Sequence, residues 1–161
     1  MIIGMSLAGF TTLHVFISLV AIVAGAIVVL GMLNGKDAPF WTGTFLLTTI
    51  LTSVTGFMFP ADKTLPSHVV GYISLALLAV AVLAYYVGEV KGSWRWLYVA
   101  TAVTAFYLNV FVGVVQSFRK LAYLHTLAPT ESEPPFAVAQ GIVLMIFLWL
   151  GYLAVRRFKA A

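Results

Sequence analysis

The sequence predicts an all-α protein, a polytopic membrane bundle of five transmembrane helices, on three observations. Of its 161 residues, 62% are hydrophobic and 9% charged, with a mean hydropathy of +1.05, whereas soluble proteins carry about 25% charged residues. Five apolar segments follow one another, each near the roughly 20 residues that a helix needs to cross a hydrocarbon core. The breaks between them consist of turn-forming residues. Five such spans use up the length, so residues 1–161 read as a single membrane domain with no separate soluble part.

The first span is expected over residues 8–33. The opening stretch up to His14 lacks the basic region of a cleaved signal peptide, and the apolar run that follows is too long for one. Asn34, Gly35, Lys36, Asp37 and Pro39 end it. A second span over 41–59 is rich in Thr48, Thr49, Thr52, Ser53, Thr55 and Gly56, small residues that permit close helix approach and can bond back to their own helix. Pro60, Ala61, Asp62, Lys63 and Pro66 separate it from a third span over 67–88, and Gly88 to Ser93 precede a fourth over 94–117. One long loop then runs from Phe118 to Glu133. Its last part, Thr130 to Pro135, reads as a helix start with capping oxygens, acidic groups and early prolines, leading into a fifth span over 136–155.

Five spans put the termini on opposite sides of the membrane. Lys36, Lys91, Arg95, Arg156, Arg157 and Lys159 share the side of the C-terminus, while Lys63, Arg119 and Lys120 share that of the N-terminus. The excess of basic residues predicts a cytoplasmic C-terminus and an outside N-terminus. Trp41, Trp94 and Trp96 fall at the basic ends of their helices, as interfacial anchors do. The basic tail fits attraction to anionic lipid rather than to nucleic acid. The whole has the character of a small multi-span protein of a bacterial inner membrane.

On this topology the uncharged polar side chains crowd the outer half. His14 lies about 7 to 8 Å below the outer end of the first span at 1.5 Å per residue, and His68 opens the third. Gln116 closes the fourth span, Asn109 lies two turns deeper, Gln140 enters the fifth, and His125 sits in the outer loop. His14, Ser18, Ala21 and Gly25 form one small and polar stripe that should face protein, and Asn109, Gly113 and Gln116 form another.

Three functional readings follow. One is a small-ligand or cofactor site contacted by His14, His68, Asn109, Gln116 and Gln140. Haem b held by two imidazoles, or a quinone hydrogen-bonded by His and Gln, are its concrete forms. A second is a periplasmic-face metal site using His14, His68 and His125, with Met5 or Met58 favouring copper, or Asp62, Glu131 and Glu133 a harder cation. The third is an accessory or structural subunit that packs on other membrane subunits or on copies of itself, where the polar groups make interhelical hydrogen bonds. The absence of cysteine removes thiolate ligands and disulfides. All five acidic residues lie in loops or at helix ends, which argues against ion-coupled transport. The sequence pairs no nucleophile with a base and has no phosphate-binding glycine loop, so no independent catalytic activity is expected.

Overall fold

Five helices of the computed structural model are long and apolar enough to cross a membrane. The structure describes residues 2–61 and 66–159; Asp62 and Lys63, which entered the sequence reading as a cation ligand and a topology charge, lie outside them.

Helix α1 spans Leu7–Leu33 and starts where the Ser6 hydroxyl accepts a hydrogen bond from the Gly9 N–H at 3.1 Å. It stops in a two-bond cap. Gly35, at φ +68°, donates to the Met32 carbonyl, and Lys36 donates to that of Gly31. Both bonds satisfy carbonyls that the helix end would leave open, and the left-handed turn they require suits glycine. Helix α2, Pro39–Phe57, begins with proline in its first turn. Its threonines behave as expected: the Thr44, Thr48 and Thr55 hydroxyls donate to carbonyls four residues back.

Helix α3 runs over Pro66–Val82 and continues through one π turn, Leu83–Val87, in which the Gly88 N–H donates to the Leu83 carbonyl. Helix α4, Ser93–Lys120, extends three residues past its expected end. Its last turn buries Phe118 while Arg119 and Lys120 stay exposed, an arrangement in which apolar packing carries the helix beyond the hydrocarbon. The long loop is also more ordered than the sequence suggested, because Ala122–Leu127 form a short helix, α5. Helix α6, Pro134–Arg157, starts at its prolines, but without the expected cap. Glu133 turns its carboxylate backwards instead, accepting from the Thr130 N–H and hydroxyl and from the Ser132 N–H. The capping residues close the loop, and the helix entry is left to proline.

Helices α1 to α4 form an antiparallel four-helix bundle in which α1 packs on α2, α2 on α3, α3 on α4 and α4 on α1. α1 and α3 are therefore diagonal, as are α2 and α4. Helix α6 lies outside this square against α4 and α1. The core runs along the axis through Met32, Phe45, Leu46, Leu78, Tyr98, Val99 and Phe106. Gly25 allows α1 to approach α4, since a side-chain carbon there would stand 2.6 Å from the Phe106 ring. The Ala21–Gly25 part of the small-residue stripe is buried, as its spacing predicted.

Candidate functional site

His14 is placed by one turn of α2. Its Nδ1 lies 2.7 Å from the Thr55 hydroxyl oxygen, and its ring meets Phe59 edge-on with centroids 5.2 Å apart. The imidazole also packs beside Gly56, its Cε1 3.8 Å from where a side-chain carbon would stand, an ordinary contact distance. The direction of the His14–Thr55 bond follows from Thr55's other contact. The Thr55 hydroxyl is 2.7 Å from the Leu51 carbonyl oxygen, a separation at which two oxygens need a proton between them, and a hydroxyl has one proton to give. Thr55 therefore accepts from His14 Nδ1–H. The lone pair of the neutral ring is then fixed on Nε2. Nε2 makes no hydrogen bond among the described residues and is not sealed in the core.

The other predicted residues bind elsewhere. His68 stacks on Phe57 at 5.6 Å, and Phe57 in turn stacks on Tyr72 at 4.7 Å. Thr55, in the last turn of α2, and Phe59, just beyond the helix, hold His14, whereas His68 rests on Phe57. No ring contact joins the two imidazoles among the described residues. Asn109 crosses the bundle and donates to the Thr49 hydroxyl at 3.1 Å. Gln140, 9% exposed, donates through Nε2 to the Phe111 carbonyl at 3.1 Å and joins α6 to α4. Gln116 is exposed and stands apart from these groups, so the stripe expected from Asn109 and Gly113 does not continue to it. His125, on α5, is exposed as well. Among the described residues no three of His, Asp or Glu gather, so His14, His68 and His125 form no common ligand set. Met5 and Met58 both lie at the N-terminal end of the bundle, Met58 just beyond α2.

Two buried atoms at this end have no partner among the described residues, Gln140 Oε1 and the Thr52 hydroxyl. Thr52 sits between the Asn109–Thr49 bond and the Thr55–His14 bond, about one helical turn from each. At about 1.5 Å per residue from their helix ends, His14, Thr52 and Gln140 reach similar depths, about 8 to 10 Å. Unpaired polar atoms in a low-dielectric interior are costly, so each calls for a partner such as water, an ion or a ligand.

The sequence reading has the uncharged polar side chains crowd one half of the bundle, and the structure adds a second polar cluster at the opposite end. Tyr85 donates to Asp37 at 2.8 Å, and its ring packs on Tyr98 at 5.0 Å. The Tyr98 hydroxyl meets that of Thr42 at 3.2 Å, and both residues are 0% exposed. Asp37 also accepts from the Ala38 N–H. Phe45, Leu46, Phe106 and Leu78 separate this cluster from the outer one. A tyrosine inside an apolar segment gives little warning of such a role.

Fold and site define a multi-pass α-helical membrane protein with a polar group at each end of the bundle. No family model matches the chain, and neither curated proteins nor solved structures offer a match.

Proposed function

We propose that this membrane protein binds a small ligand or redox cofactor of the quinone or haem class in the outer half of its bundle, with His14 as the principal contact. The observation that carries this reading is the His14–Thr55 bond, which commits Nδ1–H and leaves Nε2 as an open acceptor beside Phe59 and Phe10. An acceptor nitrogen takes an O–H donor, so the hydroquinone form of a quinone is the better fit of the two classes. Haem would use the same lone pair as one axial ligand, with the Thr55 bond orienting the ring. Gln140 and Thr52, each with an unpartnered buried oxygen, are the next contacts, and the reading extends to His68, Asn109 and Gln116 as the remaining polar groups of this end. The shared end of Lys36, Lys91, Arg95, Arg156, Arg157 and Lys159 supports a cytoplasmic C-terminus and an outside N-terminus in a bacterial inner membrane.

The test is the oxidised and reduced visible spectrum of protein purified in mild detergent, with quinone analysis of its organic extract, beside His14→Ala and Thr55→Val. Bound quinone or a Soret band should be lost in His14→Ala, and Thr55→Val should weaken retention about tenfold or more, as loss of an orienting hydrogen bond does. Folded wild-type protein that carries neither chromophore nor quinone, and takes up neither when supplied, would refute the cofactor reading.

A second reading, an accessory or self-associating subunit, rests on α6. Trp149 is 61% exposed about two turns inside the C-terminal end of that helix, amid exposed Met145, Leu148 and Tyr152. Tryptophan ordinarily anchors at the interface, so its position here suits a helix from another subunit. The mass of the detergent-solubilised particle, compared between wild type and Trp149→Ala, tests it: a single-chain mass for both excludes stable self-association.

A further inference from the structure

A cavity of about 460 Å³ opens at the basic end, lined by Val90, Lys91, Gly92, Arg95, Arg156 and Phe158 together with Lys159. That volume is within the range of small-molecule sites. Four of its seven lining residues are cations. The two carboxylates described at this end are both engaged, Asp37 by Tyr85 and the Ala38 N–H, Glu89 by an exposed ion pair with Lys91. Arg95, Arg156 and Lys159 therefore line the cavity without a carboxylate partner among the described residues, Arg156 being held by one Nη1 bond to the Tyr152 hydroxyl at 2.7 Å.

Arg95 is the built element of this pocket. Its Nη1 donates to the carbonyls of Val155 and Phe158, each at 2.8 Å, so the guanidinium is held by the last turn of α6 while its Nε and Nη2 hydrogens remain unused among the described residues. A clamped guanidinium has already lost the side-chain entropy that binding would otherwise remove, and its planar fork suits a phosphate. The floor is fixed too. Val90, at φ +56°, is turned into the core at 6% exposure, which anchors the loop that carries Lys91. The N-terminus of α4 opens at Gly92 without a side-chain cap, adding a partial positive charge. Exposed Trp94 and Trp96 flank the pocket and mark headgroup depth, where phosphate is the prevailing anion.

We propose that this pocket binds a phosphate-bearing anion through Arg95, Arg156 and Lys159, with Lys91 as a further contact. An anionic phospholipid headgroup and a free phosphate share this chemistry. The inference stands apart from the His14 site, at the other end of the bundle, and neither depends on the other.

The experiment is thermal unfolding of the full chain in zwitterionic detergent at low salt, with added phosphatidylglycerol, phosphatidylcholine or inorganic phosphate. Wild type is compared with Arg156→Gln/Lys159→Gln and with Lys36→Gln/Arg157→Gln, which removes equal charge outside the pocket. Phosphatidylglycerol should raise the unfolding midpoint of wild type and of the outside pair. The pocket pair should need about tenfold more lipid for half the effect, as loss of charge-assisted hydrogen bonds implies. An equal shift with inorganic phosphate assigns the site to the free anion, and a shift with phosphatidylglycerol alone assigns it to the headgroup. Equal loss in both pairs would mean diffuse attraction and would overturn the proposal, as would a wild type that neither anion stabilises. Should the pocket pair fail to fold, Lys159→Gln alone carries the same comparison, because Lys159 lies beyond α6 and is exposed.

Discussion

At the basic end, Tyr98 and Thr42 are wholly buried and their hydroxyls are paired with each other, while Tyr85 ties the α3 π turn to Asp37 in the α1–α2 connection. At the opposite end, His14 is half-buried, has one nitrogen committed to Thr55 and the other open, and lies near the depth of two unpaired oxygens. The first arrangement has partners for the groups it buries. The second leaves hydrogen-bonding capacity over. A polar cluster that is sealed and paired fixes helix positions, because any replacement leaves a cavity or an orphaned group; one that is open and under-used adds little to the fold and stays available to a ligand. The difference separates a fastening from a site, though both are built from the same residue types.

Truncation should expose the contrast most strongly. Tyr98→Ala removes a fully buried aromatic ring packed on Tyr85 and Phe158 and should cost about 3–5 kcal/mol. His14→Ala should cost about 0.6 kcal/mol, the usual value of a hydrogen bond between membrane helices. Reversible unfolding in mixed micelles measures both. If His14→Ala proves as damaging as Tyr98→Ala, the outer end is a fastening as well and the distinction collapses.

Removing hydroxyls alone gives a finer version. Tyr98→Phe keeps the ring and removes the hydroxyl that pairs with Thr42 in a sealed core, for a loss of about 1 kcal/mol. Thr55→Val, at the half-buried end, should lose no more than about 0.6 kcal/mol while releasing the His14 ring from its single tautomer. Nitrogen chemical shifts of the imidazole would register that release even where stability does not change.

How much of this was legible beforehand depended on range. The five spans are local properties of hydropathy, and each observed helix lies within a few residues of its expected bounds. Asn109 and Gln140 were singled out because amides are conspicuous in apolar segments, and both do bridge helices. What escaped depended on which helices touch. His14 and His68 settle against different aromatics at the end of α2, Phe59 and Phe57, a fact of packing that no spacing along one helix encodes. Gln116 shares a helical face with Asn109 by periodicity, but it remains exposed near the end of α4. Asp37, Tyr85 and Tyr98 come from three separate stretches of sequence. Each alone reads as a turn residue or an ordinary core aromatic, so their meeting had to be seen in three dimensions.

Gln140 offers a test in which stability and binding should move apart. Its Nε2 holds the Phe111 carbonyl while its Oε1 has no described partner. Gln140→Leu deletes the bond and the unpaired acceptor together, so the two effects offset and unfolding should change by no more than about 0.5 kcal/mol. Retention of the outer-end ligand should fall, since the variant removes one of its proposed contacts. A large destabilisation with unchanged ligand retention would move Gln140 into the fastening class.

The smallest expected effect concerns the basic end, where the sealed tyrosine cluster lies beside an open cationic pocket. The Lys91 ammonium bonds the Glu89 carboxylate and holds it below the usual carboxylate range. A carboxyl lowered in this way keeps its ion pair above its ordinary range and loses it as pH falls through the lowered value. Glu89→Gln should reproduce that loss at neutral pH, freeing Lys91 for an incoming anion. Because the pair is exposed and screened, the gain in affinity for phosphatidylglycerol or phosphate should be about twofold, and salt should abolish it. The unfolding midpoint without added anion should stay unchanged, since the fastening at this end is made by Asp37, Tyr85, Tyr98 and Thr42. A variant that lowers this midpoint would instead make Glu89 part of the fastening, and would show that sealed and open groups at this end are not independent.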